Sequence, residues 1–319
     1  MTGATEPPST RPAGSRRRGT AKAFVVAATV VLSIAYLVVG DRTVWSEWLA
    51  IWPSSGWVVL LLPATVRARS AVAASMLAVF ALATTEWPRW PDVAELPGEK
   101  LRLVSWNVGA DSGFFAAAAD LDPDVWMLQE FARPRWLPSK FSVQASVDPA
   151  VIAKLPVEVL PTRRLGPWAE PQVLLLRLTS GRKLLLVNVR LMHPSPVLQL
   201  VDPLGQVPWR NHRERLEQYS RLVELVRETA ASHDVAGTIV AGDFNTPATA
   251  RSLNPLRGLL RDVWLEAGEG WGATAPEFLP LSRIDQCWVS AGIRGSRARV
   301  LRRGKSDHRL LFVELVVPS

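Results

Sequence analysis

Hydrophobic residues follow two different patterns along the chain of 319 residues, and the change falls near residue 97. Before it, apolar residues form long runs with few charges. After it, short apolar runs alternate with polar stretches, which is the pattern of strands separated by loops. The sequence therefore predicts two regions, joined by a linker at residues 91–100, PDVAELPGEK.

Three apolar runs in the first region predict a membrane anchor over residues 23–90. The first run, AFVVAATVVLSIAYLVVG, has about the 20 residues that cross the hydrocarbon core of a bilayer. We predict transmembrane helices at about 23–40, 47–66 and 70–87, with tryptophans near their ends, where membrane interfaces favour them. Two alternatives stay open: a cleaved signal peptide for the first run, and a buried soluble helix for the short, Ala-rich third run.

The polar tail at residues 1–22 indicates the orientation of this anchor. It is too poor in apolar residues to fold alone, so we predict disorder. Arg16, Arg17, Arg18 and Lys22 precede the first run, and the positive-inside rule places such a segment in the cytoplasm. Three crossings would make this a multi-pass protein of the cell membrane with its C-terminal domain outside the cytoplasm, whereas two crossings would reverse that side.

The second region, residues 101–319, has the pattern of an α/β domain. Two segments with helical character, GFFAAAADLD and WRNHRERLEQYSRLVELVRETAASH, interrupt the strands. Strands with a few covering helices over this length predict an α/β sandwich of two packed sheets flanked by helices. The eight predicted strands are LRLVSWNV, DVWMLQE, AVIAKLP, PQVLLLRL, RKLLLVNVRL, GTIVAGDFN, RIDQCWVS and LLFVELVV.

Charge and cysteine content narrow the function classes. The net charge of +8 divides into +3 for residues 1–96 (9 basic, 6 acidic) and +5 for the remainder (28 basic, 23 acidic). A mildly basic domain suits an anionic substrate or a membrane surface but lacks the dense positive footprint of a dedicated nucleic-acid binder. The single cysteine, Cys287, excludes an internal disulfide and a cysteine-rich metal site.

Polar residues close several predicted strands where the apolar run stops. Asp243 and Asn245 follow an apolar strand on either side of Phe244 and, because side chains alternate, share one face. Each such residue alone has an ordinary explanation, as a turn former, a solvated strand end, an ion pair or a hydrogen-bonded histidine. Converging strand ends would instead form one polar pocket that needs a cation to neutralise it. The residues concerned are Asn107, Glu130, Asp243, Asn245, Asp285, Asp307 and His308.

The residue types in this set favour metal-assisted hydrolysis of a phosphate ester. The sequence has no G-x-S-x-G nucleophile motif, no Walker loop and no dinucleotide-binding glycine fingerprint. Oxygen ligands with few histidines suit Mg²⁺ or Mn²⁺ rather than zinc. A hard divalent cation, a carboxylate base and a histidine together favour in-line attack of water on a phosphate ester.

The order of five motifs resembles that of a known family. SWNV, DVWMLQE, AGDFN, RIDQCWVS and SDHRLL are similar to the successive motifs of the endonuclease/exonuclease/phosphatase family, also called the DNase I-like fold, over residues 100–319. The resemblance implies a four-layered α/β sandwich and a divalent-metal-dependent phosphoesterase. Bacterial members with three N-terminal membrane segments, including one linked to glycopeptide resistance, have a similar layout, which suggests a cell-envelope substrate.

On the metal side, the resemblance implies that Glu130 is the principal ligand of Mg²⁺ or Mn²⁺. Asp307 and Asn107 would lie close to the ion or the phosphate, with Asp307 as a second ligand and Asn107 as a substrate-binding residue. Gly109 follows Asn107 by two residues, where nuclease members often carry an acidic group. This difference leaves the number of metal ions open and points away from the DNA-repair members.

On the reacting side, the resemblance assigns four catalytic residues. It implies that Asp243 positions or deprotonates the attacking water and that Asn245 holds the phosphate. His308, oriented by Asp285, would stabilise the charge of the phosphorane-like transition state.

The middle strand departs from the family pattern. The family generally reads N-T-H-L there, whereas this chain reads VNVRLMHP with Arg190 in the place of the histidine. Arginine cannot donate a proton at neutral pH, but it binds phosphate bidentately. His193 would either return to the site as a second substrate-binding residue or remain a surface-loop histidine.

The function hypothesis is a membrane-anchored phosphoesterase that acts outside the cytoplasm on a phosphate ester or pyrophosphate of an envelope lipid. Its expected partners are the lipid bilayer and a phosphate-containing substrate, with nucleic acid as the second candidate. The alternatives are a surface nuclease and a catalytically weak envelope protein that keeps the fold. The basic run from Arg294 to Lys305 either binds anionic headgroups or forms a solvated edge strand or loop.

Overall fold

The chain divides into two compact units in the computed structural model. The helical unit comprises Met1–Val39 and Ser54–Thr85, and the C-terminal unit comprises Gly40–Pro53 and Glu86–Ser319. The structure describes residues 13–43, 54–84, 86–91, 96–131, 139, 141–144, 148–167, 169–194 and 206–318.

The helical unit has three apolar helices over its described residues. They are α1 (Ala13–Val38), α2 (Ser54–Ala68) and α3 (Ala71–Thr84). Among the described residues, one stretch of 19 residues, Thr20–Val38, is long and apolar enough to cross a membrane, whereas Trp57–Ala68 and Ala71–Leu82 are shorter apolar helices. On length and composition alone, α1 is therefore a candidate membrane anchor.

The start of α1 differs from the sequence-based expectation. We predict disorder over residues 1–22, but the helix begins at Ala13, and residues 1–12 lie outside the described part of the chain. The reason is that a helix nucleated in the apolar run extends readily through Ala and Arg, which are good helix formers. The predicted helix at 47–66 is described from Ser54 onward, and its residues 47–53 also lie outside the described part.

The C-terminal unit contains two mixed sheets and a few covering helices. Sheet A has the strand order β10-β12-β13-β1-β2-β4-β3, and sheet B has the order β5-β6-β7-β8-β11-β9. The strands are β1 (Glu99–Asn107), β2 (Val125–Gln129), β3 (Ser142–Gln144), β4 (Ala150–Ala153), β5 (Val157–Val159), β6 (Gln172–Arg177), β7 (Lys183–Arg190), β8 (Gly237–Asp243), β9 (Arg261–Asp262), β10 (Gly268–Glu269), β11 (Asp285–Val289), β12 (Arg294–Leu301) and β13 (Leu310–Val317). The helices are α4 (Phe114–Ala117), α5 (Gln206–Ser232), α6 (Asn254–Arg257) and α7 (Val263–Ala267), with 3-10 turns at Ala119–Leu121 and Arg251–Leu253.

Three hydrophobic cores order these elements into four layers. Leu103 of sheet A and Ile239 of sheet B belong to the core between the sheets. The apolar stripe of α5, including Leu222, packs on the outer face of sheet B. Phe114 of α4 packs with Trp126 on the outer face of sheet A. Each sheet is thus buried on both faces, and the predicted α/β sandwich with flanking helices is confirmed.

All eight predicted strands are present, and the basic run forms a further strand. β12 lies between β10 and β13, so it is not an edge strand. Arginines on β12 and just after it pair with carboxylates, which leaves less unpaired positive charge to bind lipid headgroups than the sequence suggests. The ion pairs are Arg294–Glu266, Arg297–Glu269, Arg302–Glu277 and Arg303–Asp120.

One glycine allows the strand register that builds the site. Gly242 of β8 has φ +145°, and a Cβ there would lie 1.9 Å from the carbonyl oxygen of Val189. Only glycine fits so close an approach of β7 and β8. The parallel pairing of these strands sets Arg190 beside Asp243, and the antiparallel pairing of β8 with β11 sets Asp243 opposite Asp285.

Candidate functional site

The strand ends of both sheets meet at one edge of the sandwich. β1 and β2 of sheet A run parallel and end next to each other at Asn107 and Gln129, with Glu130 following. β7 and β8 of sheet B also run parallel, ending at Arg190 and Asp243. Because parallel strands place their carboxyl ends at the same edge, the structure brings these polar residues together.

The site contains a buried ion pair between Asp285 and His308. His308 Nδ1 lies 2.8 Å from Asp285 Oδ2, and Asp285 is fully buried. The backbone of His308 is fixed by two further bonds, since its N–H donates to Ser306 Oγ and its carbonyl oxygen accepts from the Trp106 indole. The imidazole thus has one orientation, with Nδ1 toward the carboxylate.

This ion pair keeps His308 positively charged. Burial of the imidazole disfavours the charge, but the carboxylates of Asp285, Asp243 and Asp307 outweigh burial and raise the pKa of His308 to about 10. A histidine that remains protonated at neutral pH can donate a proton or a hydrogen bond from its other ring nitrogen.

Asp243 is a second buried carboxylate, close to Asp285 and His308. Burial and the neighbouring charge of Asp285 raise its pKa to about 7, against the opposing effects of His308 and of hydrogen bonds. Its Oδ2 accepts from the Asn107 amide at 3.1 Å. A carboxyl group with a pKa near neutrality is suited to act as a general base.

Asn107 and Asn245 hold this carboxylate from two sides. The Asn107 amide donates to both Asp243 Oδ2 and Glu130 Oε1, each at 3.1 Å, and so joins the two sheets across the site. Asn245 has a left-handed backbone, with φ +49°, and its amide donates to Asp243 Oδ2 and to the carbonyl oxygen of Leu191. Both amide hydrogens of Asn245 therefore have protein partners, so the predicted phosphate contact requires one of them to be exchanged.

Arg190 connects Glu130 to a residue that the sequence analysis missed. Its two terminal nitrogens donate to Glu130 Oε1 at 2.6 Å and to Asp148 Oδ2 at 2.9 Å. All three side chains are half-exposed, so the guanidinium is accessible to an anion. Asp148 gives no sequence signal, because it stands in a loop far from every recognised motif.

The residues predicted on the metal side surround one tight turn. The N–H of Gly109 donates to Asn107 Oδ1, and the N–H of Ala110 donates to the carbonyl oxygen of Glu130. A Cβ on Gly109 would lie 3.8 Å from Asp307 Oδ1, so the exposed Asp307 carboxylate borders the same turn. Carboxylate and amide oxygens are the donors that Mg²⁺ and Mn²⁺ prefer, so these residues fit a hard divalent cation.

A different trio forms the closest group of metal-type ligands among the described residues. Ligand atoms of Asp243, Asp285 and His308 all lie within 4.8 Å of one another. A metal ligand must be a neutral imidazole, whereas His308 is held protonated. Asp285 Oδ1 is buried without a hydrogen-bond partner among the described residues, which fits a pocket that takes in a polar ligand.

His193 and two buried amides complete the surroundings of the site. The His193 side chain has a large exposed surface. Partial desolvation of its ring and the positive charge of His308 lower its pKa, so His193 lies within electrostatic range of the site. Beneath the site, Asn188 donates to the carbonyl oxygens of Leu128 and Ala150 and accepts from Gln129. Asn188 is a polar residue inside an apolar strand, a signal that could have identified this link between the sheets.

Comparisons with known proteins agree with the motif order. The sequence model of the Endonuclease/Exonuclease/phosphatase family matches residues 104–308. No curated protein matches the chain. Similar solved structures include a truncated TDP2 from Caenorhabditis elegans, with TM-score 0.54, 17% identity, and coverage of 68% of this chain and 98% of that chain.

Two bacterial structures from Bacteroides thetaiotaomicron give the same result. An endonuclease/exonuclease/phosphatase family protein has TM-score 0.54 and 17% identity, covering 69% of this chain and 99% of that chain. A mannosyl-6-phosphatase has TM-score 0.52 and 17% identity, covering 68% and 99%. At these identities the similarity shows a shared fold.

The charge state of His308 can be measured without any assay of activity. In Asp285→Asn, we expect the pKa of His308 to fall from about 10 toward the ordinary histidine value of about 6.5, because the main opposing charge to burial is lost. The matched Asp307→Asn change should lower it less. The measurement is an NMR titration of the imidazole, assigned by loss of its signal in His308→Gln; an unchanged pKa in Asp285→Asn would contradict the ion pair.

Proposed function

Since the chain belongs to the endonuclease/exonuclease/phosphatase family, whose members are metal-dependent hydrolases of phosphate ester bonds, we propose that it is a membrane-anchored phosphoesterase of a cell-envelope lipid phosphate or pyrophosphate. The observation that carries the proposal is the buried cluster of Asp243, Asp285 and His308 next to Glu130. This cluster supplies a base and a charged proton donor at one strand edge.

In the proposed mechanism, Asp243 and His308 have separate roles. Asp243, with a pKa near neutrality, accepts the proton of the attacking water. His308, held by Asp285, donates a hydrogen bond from its free ring nitrogen to the oxygen on which charge develops. Asn107 fixes the Asp243 carboxylate through its amide, which keeps the base oriented.

The proposed cation site consists of Glu130 and Asp307, with Asn107 beside them. When bound, Mg²⁺ or Mn²⁺ would supply a Lewis acid that draws charge from a phosphoryl oxygen. Arg190 lies 2.6 Å from Glu130 and is oriented by Asp148, so its guanidinium can bind a phosphate oxygen where the family usually has a histidine.

A lipid or other small ester suits the charge distribution better than a nucleic acid. Arginines of the β12 region are paired with carboxylates, as Arg294 is with Glu266 and Arg302 with Glu277. A nuclease groove needs many unpaired cations along a phosphate backbone. The fold itself does not distinguish a small ester from a nucleic acid as the substrate, since similar structures include a mannosyl-6-phosphatase and a TDP2 complexed with single-strand DNA product.

The chain segments that follow α1 and α3 support an extracytoplasmic site. Asp41, three residues after α1, accepts hydrogen bonds from the N–H groups of Arg251 and Ser252, and Glu86, two residues after α3, pairs with Arg283. Both segments belong to the C-terminal unit, so both lie on one side of any membrane. The proposal therefore takes an even number of crossings between the two segments, which with α1 as a membrane span gives a total of one or three.

One or three crossings give the C-terminal unit the same location. In either case it lies opposite the N-terminus, which the positive-inside rule assigns to the cytoplasm through the basic residues before α1. The proposed compartment therefore no longer depends on whether the short helix α3 crosses the membrane.

The catalytic proposal is tested by phosphate release from the purified full-length protein with Mg²⁺. We expect turnover of lipid phosphates or pyrophosphates, loss of turnover on chelation, and a fall in kcat of about 10²–10⁴ in Asp243→Asn and His308→Ala, because base and proton donor are removed. Asp120→Asn is the matched control, since Asp120 pairs with Arg303 at the surface.

Two outcomes would contradict it. Release by the parent protein that is no faster than release by the two active-site variants would leave a catalytically weak envelope protein. Turnover confined to DNA or RNA, with a strong dependence on salt, would identify a nuclease instead.

Membrane topology is tested with single cysteines in the full-length chain. Burial of the native Cys287 thiol raises its pKa and keeps it unreactive, so introduced cysteines report alone. We expect Thr43→Cys and Ser232→Cys, both at exposed positions, to react equally with a membrane-impermeant maleimide in intact cells. Reaction of one without the other would contradict the even number of crossings, and reaction of both only after lysis would place the site in the cytoplasm.

A further inference from the structure

Exposed apolar side chains of the C-terminal unit are concentrated in one part of its described surface. Six large apolar side chains there are more than half exposed or close to it, and five of them come from residues 87–90 and 265–279. Trp90 is 82% exposed and Phe278 is 77% exposed, values that few soluble surfaces give to aromatic residues. The five are Trp87, Trp90, Leu265, Phe278 and Leu279, whereas Val159 lies elsewhere in the chain.

Hydrogen bonds hold together the two backbone segments that carry these five residues. Arg89, between the two tryptophans, forms a two-way bridge with Gly270 and donates through its side chain to the carbonyl oxygen of Leu265. The next residue, Trp271, donates its indole N–H to the carbonyl oxygen of Pro280. The segment around Arg89 and the loop at residues 276–280 therefore both contact residues 270–271. We call the surface formed by the five exposed side chains of these segments the apolar edge.

The apolar edge is joined directly to the candidate active site. The N–H of Glu277 donates to the carbonyl oxygen of Asp307 at 2.7 Å. The guanidinium of Arg309 donates to the carbonyl oxygen of Glu277 from two of its nitrogens. The loop that carries Phe278 is thus hydrogen-bonded to Asp307 and to Arg309, the residues before and after His308 in the chain. His308 is the proposed proton donor.

The apolar edge begins close in sequence to the end of an apolar helix. Glu86 follows Thr84, the last residue of α3, by two residues, a length of chain that spans at most about 7 Å. Glu86 pairs with Arg283, which is almost fully buried and also pairs with Asp262, so this segment is firmly held by the unit. The C-terminal unit is therefore firmly attached to a segment that begins two residues after an apolar helix.

From these observations we propose that the apolar edge inserts into the interfacial region of the lipid bilayer and presents the active site to phosphates carried by lipids. Tryptophan is enriched at membrane interfaces, and Trp, Phe and Leu form the apolar faces of segments that lie in them. The inference rests on the proposed function for its substrate, since a soluble ester would need no such edge. Insertion of the apolar edge gives the active site access to a headgroup phosphate without extraction of the lipid from the bilayer.

The test uses full-length protein reconstituted in vesicles of phosphatidylcholine with phosphatidylglycerol. Phe278→Cys is labelled with the environment-sensitive dye NBD, and Ser232→Cys, at the end of α5 and exposed, is the matched control. We expect NBD at position 278 to shift to the blue and lose most of its emission to lipids spin-labelled near the headgroup, at a depth of roughly 5–10 Å. NBD at position 232 should show neither change.

Equal or absent quenching at the two positions would overturn the proposal. Leu279→Cys provides a second labelled position if Phe278→Cys fails to fold. The double change Phe278→Ser with Leu279→Ser should lower kcat/KM on the vesicle-borne lipid phosphate by roughly tenfold or more, because apolar contact with the interface is lost, and leave turnover of a soluble phosphate ester unchanged.

The two hypotheses fail in different ways. Quenching at position 278 without turnover of any phosphate would reject the proposed function and support the apolar edge. Turnover of lipid phosphates without quenching would support the function and reject the edge.

Discussion

The site depends on the positive charge of His308. The pairing of β8 with β11 places two carboxylates, Asp243 and Asp285, opposite each other in the interior, where their mutual repulsion and desolvation are costly. The bond between His308 and Asp285 offsets part of that cost and leaves Asp243 with a pKa near neutrality. The register that creates the pair depends in turn on Gly242, which permits the close approach of β7 and β8.

This arrangement divides the site into two charge-balanced halves. In one half, His308 balances the buried carboxylates of sheet B. In the other, Arg190 contacts Glu130, at the end of sheet A, and in the proposed enzyme a divalent cation would share that carboxylate. Asn107 joins the halves, because its single amide group donates to Glu130 and Asp243. In the proposed enzyme, the base and the proton donor would thus be separated from the cation by one amide group.

The sequence predicts the sandwich, and it predicts the polar residues that the structure places at one edge, because both follow from local patterns. Apolar strands that end in Asn107, Asp243 or Asp285 carry their own signal, and the eight predicted strands are present. The contacts that complete the site are not local. The Asp148 carboxylate reaches Arg190 across 42 positions of sequence, and the Asn245 amide reaches the carbonyl oxygen of Leu191 across 54 positions. The ion pairs of β12 and the early start of α1 likewise depend on tertiary neighbours and on helix propagation.

The location of the divalent cation tests the division of charge most directly. The measurement is the affinity for Mn²⁺ by isothermal titration calorimetry, in the parent protein and in two variants that each convert a carboxylate to an amide. We expect Glu130→Gln to abolish Mn²⁺ binding and Asp285→Asn, which removes a carboxylate that pairs with His308, to keep it. Binding that survives in Glu130→Gln and disappears in Asp285→Asn would contradict the account and place the cation among Asp243, Asp285 and His308.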